Sequence, residues 1–325
     1  MDKGARIYVA GHNGMVGSAI VRHLQDKGSD KLILCSREEL NLLDQRGVKR
    51  FFNDEKPDYV FIAAARVGGI HANNSYRAQF IYENLQIQNN IIHYAHEFHV
   101  KKLLFLGSSC IYPQNALQPI KEEYLLTGEL EKTNEPYAIA KISGIKMCES
   151  YYSQYGCQFF SLMPTNTYGP NDNYDLETSH ALPALLRKIH EAKVSGAKEV
   201  AVWGSGKPTR EFIYVDDIAD ACAFIMDLDF GDLYEQGLTH LNVGTSSEIS
   251  IEDLVSLLSE IIGYKGSINY DKSMPDGTLR KVMDVSKINQ LGWKHKINLE
   301  EGLAMTYALF ANNRVNKSIT ENSTL

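Results

Sequence analysis

Ala5-Arg6-Ile7-Tyr8-Val9-Ala10-Gly11-His12-Asn13-Gly14-Met15-Val16-Gly17 is an apolar run that passes directly into three glycines in Gly-x-x-Gly-x-x-Gly spacing, then into an amphipathic stretch through Lys27. The pattern predicts a strand, a tight turn and a helix. In that arrangement Gly11 permits the turn, Gly14 lets backbone approach a pyrophosphate and Gly17 allows close helix packing, with phosphates resting on the helix N-terminus. A glycine turn in any α/β domain would read alike, so the cluster needs company. The next strand, Lys31-Leu32-Ile33-Leu34-Cys35, ends in Ser36-Arg37. A hydroxyl followed by a guanidinium suits a ribose 2′-phosphate, whereas an NAD-selective strand ends in a carboxylate. NADPH is therefore expected over NADH. Glu38 and Glu39 stand close by and argue the other way, and a solvated turn is the plain reading of Arg37.

Strand-like runs alternate with helical periods through the first half of the chain. They are Tyr59-Val60-Phe61-Ile62, Leu103-Leu104-Phe105-Leu106 and Phe159-Phe160-Ser161-Leu162-Met163, and a helix over 79–99 with Ile81, Leu85, Ile92 and Ala95 inward separates the first two. Such alternation predicts an α/β class fold, a doubly wound parallel sheet of Rossmann type with helices on both faces. Past Met163 the chain loosens into the turn-rich Pro164-Thr165-Asn166-Thr167-Tyr168-Gly169-Pro170-Asn171-Asp172-Asn173, where it is expected to leave the sheet and build a substrate lid. Helical stretches follow over 182–193, 216–227, 251–262 and 299–310, with short strands over 200–203 and 240–243. The expected organisation is a dinucleotide-binding domain over 1–170 with returns near 211–230 and 240–244. A smaller, mostly C-terminal, interleaved substrate-binding domain covers 171–312, and a polar tail 313–325.

Composition narrows the function classes. Over 325 residues, 44% hydrophobic and 22% charged, the chain reads as an ordinary soluble protein with a sizeable core. A net charge of -7 without any Lys/Arg run argues against a nucleic-acid surface. No apolar run approaches the ~20 residues that span a membrane, and no signal-peptide core stands at the N-terminus, so a cytoplasmic protein without membrane partners is expected. Cys35, Cys110, Cys148, Cys157 and Cys222 have no zinc-like spacing and are odd in number, which argues against a metal and against a disulfide framework.

Tyr137 and Lys141 stand one helical turn apart in Tyr137-Ala138-Ile139-Ala140-Lys141. An ammonium on the same helix face can lower the phenol pKa toward the working pH, and such a phenol can hand a proton to a nascent alkoxide. Tyr-x-x-x-Lys is common by chance. Ser108, just past the C-terminal end of a strand, is placed to bond a substrate carbonyl, or merely to cap the next turn.

The chain resembles the extended short-chain dehydrogenase/reductase family over nearly its whole length. The segments that carry the resemblance are Gly11 through Ile20, Ala63-Ala64-Ala65-Arg66-Val67-Gly68-Gly69-Ile70, Gly107-Ser108-Ser109-Cys110-Ile111-Tyr112-Pro113, Asn134-Glu135-Pro136-Tyr137-Ala138-Ile139-Ala140-Lys141 and Met163 through Pro170. Within that family it is similar to bifunctional epimerase-reductases that epimerise GDP-4-keto-6-deoxy-D-mannose at C3 and C5 and then reduce the C4 ketone with NADPH. The resemblance implies Ser108, Cys110, Tyr137, Lys141 and His180 as catalytic. Cys110 would be the base at C3 and C5 and His180 the acid on the other face. It implies NADP(H) held by Gly11, His12, Asn13, Gly14, Met15, Val16, Gly17, Arg37, Leu106, Gly107, Ser108, Ser109, Lys141, Pro164, Thr165, Asn166, Thr167 and His180. Lys188, Trp203, Arg210 and Asp276 would take the GDP-sugar, with Arg187 a competitor for the diphosphate, and a homodimer would form through the helices over 79–99 and 137–155.

Plainer readings stand beside these. Taken alone, Cys110 reads as a small buried hydrophobe, His180 as a surface residue, Trp203 as core and Arg210 as a solvated charge. A nucleotide-sugar 4-epimerase or dehydratase would share the glycine turn and the Tyr137/Lys141 pair but recycle its cofactor, and related dehydratases carry an Asp-Glu pair where Cys110-Ile111 stands here. A non-catalytic dinucleotide-binding sensor is the third reading, opposed by the intact Ser108, Tyr137 and Lys141 set.

Overall fold

The computed structural model describes residues 1–274 and 276–322. In chain order, β1 (Ile7–Ala10) leads through the glycine turn into α1 (Met15–Asp26), β2 (Leu32–Ile33), α2 (Gln45–Glu55), β3 (Tyr59–Ile62), α3 (Ile70–Ser75), α4 (Arg77–Glu97), β4 (Lys102–Leu106), α5 (Glu135–Tyr155) and β5 (Phe159–Pro164). There follow β6 (Asn166–Tyr168), α6 (Ala181–Ser195), β7 (Glu199–Trp203), β8 (Thr209–Tyr214), α7 (Val215–Asp227), α8 (Phe230–Glu235), β9 (Leu241–Val243), β10 (Glu248–Ser250), α9 (Ile251–Ile262), β11 (Ser267–Asp271), β12 (Arg280–Lys281), α10 (Ser286–Gln290) and α11 (Leu299–Asn322).

Six strands form one sheet in the order β2-β1-β3-β4-β5-β9, parallel throughout. The runs of Val, Ile, Leu and Phe in β3, β4 and β5 are buried on both faces because helices cover both sides, which is why these strands read as continuous apolar stretches rather than alternating ones. Helix α1 packs beside α7, and α4 beside α5. From β1 the chain moves to β2 on one side and returns to β3 on the other. The crevice beyond the C-terminal end of β1 is therefore the switch point at which open α/β sheets bind ligands.

The strand expected over 31–35 is ordered only as Leu32–Ile33. It is a half-exposed edge strand, and the chain turns away at once, with Leu40 N–H bonding Ser36 O. The helix expected over 299–310 continues to Asn322, so 313–322, read as a polar tail, is helical; 323–325 lie outside the described residues. Its polar composition suggested a tail, but no Gly or Pro interrupts the helix beyond Gly302.

Beyond β5, β8 lies between β10 and β12 and also pairs with β6, while β7 and β11 form a separate parallel pair. These elements gather a second core around Tyr168, Leu186, Ile189, Leu254, Leu258 and Leu303. The chain also returns to the first core late, through Met283, Val285, Ile288 and Trp293. No described helix is long and apolar enough to cross a membrane.

Two glycines of the turn are demanded by packing. Gly11 has φ +84°, and a Cβ there would lie 2.7 Å from the Ala64 backbone just past β3. A Cβ on Gly17 would lie 2.1 Å from Gly11 O. Gly14 differs: its Cβ would meet only Gly11 O, at 3.4 Å, an ordinary contact. The fold tolerates a side chain at Gly14, so the need for glycine there points to something approaching from outside. We predict that Gly17→Ala lowers stability by roughly 1–3 kcal/mol in denaturant unfolding, whereas Gly14→Ala unfolds like the unchanged protein and loses dinucleotide affinity. Unaltered dinucleotide binding in Gly14→Ala would contradict this reading of the turn.

Candidate active site

The crevice above β1 fits a phosphorylated dinucleotide. Helix α1 begins at Gly14 with no side chain capping its first turn, so its leading N–H groups face the crevice. His12, in the turn, has a buried Nδ1 without a partner, which a ligand could satisfy. At the end of β2, Glu39 is folded back, its Oε2 accepting from Ser36 N at 2.7 Å. Arg37 is exposed and makes no hydrogen bond or ion pair among the described residues. Glu39 is thus engaged locally, Glu38 bonds Ser36 and feels the charge of Arg37, and the exposed guanidinium suits a 2′-phosphate. On the far side, the side chains of Thr165, Asn166 and Thr167 bond Glu211 O, Glu211 O and Thr165 O respectively. The first two tie this segment to β8, and the third closes a bond within it.

Helix α5 crosses the end of β4. The Nζ of Lys141 donates to Leu106 O at 2.7 Å, Gln88 Nε2 on α4 donates to Ala140 O at 2.7 Å, and Gly144 sits where a Cβ would strike the Phe105 ring. This seating brings Tyr137 over Ser108. The Ser108 hydroxyl accepts from Cys110 N at 3.3 Å, so it caps the short turn Ser109–Ile111, and it also lies within hydrogen-bonding reach of the Tyr137 phenol. The cap and the site role coexist. Tyr112 ties the same turn down, its buried hydroxyl donating to Asn242 Oδ1 on β9 at 2.6 Å.

The expected electrostatics of the Tyr137/Lys141 pair need correcting. Burial raises the phenol pKa, the Cys110 charge raises it further, and only the Ser108 bond pulls it down. Lys141 is itself enclosed, and burial pushes it down to about 7. Its one hydrogen bond goes to a carbonyl, and its Nζ lies 5.8 Å from the Tyr137 ring centre. The phenol is therefore kept protonated, which is the form a proton donor needs.

Cys110 and His180 are linked through Lys281, which bonds the one and acts by its charge on the other. Cys110 Sγ accepts from Asn134 Nδ2 at 3.5 Å and from Lys281 Nζ at 3.9 Å. His180 begins α6, and its pKa is lowered first by burial and then by the charge of that same Lys281. His180 itself is exposed to solvent. Its segment is held by the two glycines of Val67-Gly68-Gly69-Ile70: Gly69 N–H bonds Thr178 O at 2.8 Å, and a Cβ on Gly69 would lie 2.4 Å from Ser179 O. Asn134 and Lys281 were not anticipated as site residues. Asn134 had a signal, since it stands at the start of the motif that contains Tyr137; Lys281 is a lone lysine in a polar stretch and had none.

The four residues expected to take the sugar nucleotide form a connected group. Trp203 is 60% exposed at the end of β7, so it is not core, and Lys188 Nζ lies 5.3 Å from its ring centre. Asp276 accepts from Ser205 N and Ser205 Oγ at 2.6 and 2.8 Å, closing the loop after Trp203, and its charge acts on Arg210. Asp276 thus orders the loop. Arg187 is engaged with Glu191 at 2.7 Å and Tyr174 O at 3.0 Å.

A parallel sheet with a glycine turn at its switch point and a Ser, Tyr and Lys set at the end of β4 defines a dinucleotide-dependent short-chain dehydrogenase/reductase of the extended type. The chain belongs to the NAD dependent epimerase/dehydratase family, whose profile matches residues 7–244. It is 56% identical to GDP-L-fucose synthase 1 of Arabidopsis thaliana, over 97% of this chain and 96% of that protein. It is 55% identical to the GDP-L-fucose synthase of Escherichia coli (strain K12), over 95% and 97%. Among solved structures it resembles a GDP-L-fucose synthetase from Naegleria fowleri bound to NADP, with TM-score 0.86, 27% identity and coverage of 97% and 96% of the two chains.

The depressed Lys141 has a consequence for stability. In the folded state it loses its proton near 7, in the unfolded chain only near ~10.4. Between these values the unfolded state binds more protons, so this lysine makes stability rise with pH. Replacing it by Met leaves Leu106 O unpaired at a fixed cost. The stability of the unchanged protein relative to Lys141→Met should therefore increase as pH is raised from neutral into the alkaline range. A pH-independent difference in denaturant unfolding would contradict the burial of an uncompensated amine.

Proposed function

We propose that this enzyme converts GDP-4-keto-6-deoxy-D-mannose to GDP-L-fucose by epimerisation at C3 and C5 and reduction of the C4 ketone. NADP(H) is its cofactor, and when bound it supplies the hydride for C4. The observation that carries the reading is a thiol facing the same cleft as a Ser, Tyr and Lys reduction set, because plain ketone reduction needs no base beside the carbonyl. The full-length identity to GDP-L-fucose synthases supports it. A 4-epimerase or dehydratase reading is less favoured, since neither accounts for Cys110.

The chemistry follows from the site. The C4 ketone makes the protons at C3 and C5 acidic. Cys110 as thiolate removes one, the electron pair moves onto the ketone oxygen, and the Ser108 and Tyr137 hydroxyls stabilise the enolate. His180 returns a proton from the opposite face, inverting the carbon; Cys110 then releases its proton to solvent and His180 takes one up, so that the same exchange can follow at the second carbon. Reduction then places a hydride on C4, and Tyr137 gives its proton to the alkoxide. Lys141 orients the nicotinamide ribose. Trp203, Lys188 and Arg210 hold the GDP portion, with cations toward the diphosphate and the indole as a flat wall.

We assign residues 1–170 with the returns at 211–230 and 240–244 to the cofactor-binding unit and most of 171–312 to the substrate-binding unit. We also assign a homodimer through α4 and α5, which pack side by side and leave Tyr82 and Tyr155 exposed at 63% and 52%. A cytoplasmic setting is consistent with five free cysteines.

Cys110→Ser is expected to abolish exchange of the C3 and C5 protons with heavy water, followed by NMR, while NADPH binding is retained. Exchange at the original rate in that variant would remove the thiol from the mechanism. Tyr137→Phe should retain some exchange yet slow NADPH oxidation by about 10²-fold or more, in line with loss of a general acid. Full-speed reduction would exclude the phenol as donor.

A further inference from the structure

Asn134 stands at the N-cap of α5, where an asparagine ordinarily turns its Oδ1 onto the first-turn N–H groups. It does not do so here. No side chain caps this helix, the Asn134 Nδ2 donates to Cys110 Sγ, and its Oδ1 is buried without a partner. The side chain has been diverted from a structural bond to the thiol. The backbone that carries it is fixed separately, since Glu131 accepts from Thr133 N, Thr133 Oγ1 and Asn134 N.

Lys281 approaches the same sulfur from β12. Its strand is pinned on both sides, with Val282 N–H bonding Gln118 Oε1 and Met283 N–H bonding the buried carboxylate of Glu211. Among the described residues no carboxylate lies within ion-pair distance of Lys281. The neighbouring charges are committed elsewhere: Arg280 is paired with Glu248, and Glu131 is spent on the turn before Asn134. The remaining polar groups around the sulfur are the Ser108 hydroxyl and the protonated Tyr137 phenol, and His180 feels the charge of Lys281.

Resting on the epimerisation reading of this site, we infer that Lys281 and Asn134 form a cradle that holds Cys110 as a thiolate. Only the thiolate is a base, and the two inversions require it to be regenerated within each turnover. An unneutralised cation at 3.9 Å and an amide N–H donor both favour the charged sulfur. Lys281 and Asn134 are positioning residues, acting through Cys110.

The test is the pH dependence of Cys110 alkylation by iodoacetamide in the NADP-loaded enzyme, read by peptide mass spectrometry so that the other four cysteines do not interfere, alongside the pH profile of C3 and C5 proton exchange. Lys281→Met should raise the alkylation midpoint by about one pH unit or more, with the exchange profile moving in step. Asn134→Ala should raise it less, and Lys281→Arg should restore most of the original value. Lys281→Gln serves as a second neutral variant, with NADPH binding as the check of folding. An unchanged midpoint in both neutral variants, accompanied only by a higher KM for the GDP-sugar, would make Lys281 a diphosphate ligand and overturn the cradle. If the unchanged enzyme exchanged neither proton while the midpoint still shifted, the epimerase reading would fall and the cradle would stand.

Discussion

The bond from Lys141 Nζ to the Leu106 carbonyl, buried and 2.7 Å long, seats helix α5 across the end of strand β4. The rest of the site hangs on that seating. It sets Tyr137 over Ser108 and brings Asn134, at the start of α5, to Cys110 in the turn that follows β4. The interaction is costly, because an amine stripped of water and given a single carbonyl partner is pushed down to about 7. Gly144 against Phe105 and Gln88 against Ala140 O secure the crossing by close contact, so the lysine is retained for its position near the cofactor crevice rather than for stability.

Around this crossing, opposite protonation demands are met by environment. The phenol is buried and kept protonated as a donor, the thiol has a cation and an amide donor beside it, and the imidazole is made a stronger acid by burial and the same cation. In the proposed mechanism these three groups, with different ordinary pKa values, take the roles of donor, base and acid.

Much of this was legible in the chain. The parallel sheet follows from runs such as Leu103-Leu104-Phe105-Leu106, buried on both faces, and the crevice from Gly11 and Gly17, whose lack of a side chain is dictated by neighbouring backbone. Ser108, Cys110 and Tyr137 announced themselves by motif. What could not be read was what depends on chain segments distant in sequence. Lys281 reaches Cys110 across 171 positions through a two-residue strand, too short for any periodicity to reveal. The burial of Lys141 could not be read because helical spacing reports which face a residue shares, not how dry that face is. Residues 313–322 were misjudged because a polar stretch lacking Gly and Pro can remain helical.

The account is tested most directly by a crystal structure of the enzyme with NADP and the GDP-4-keto sugar bound. It predicts the Cys110 sulfur and the His180 ring on opposite faces of the hexose, within bonding reach of C3 and C5, and the Tyr137 hydroxyl at the C4 oxygen. A sugar ring bound with both groups on one face, or with Cys110 out of reach of its carbons, would contradict it.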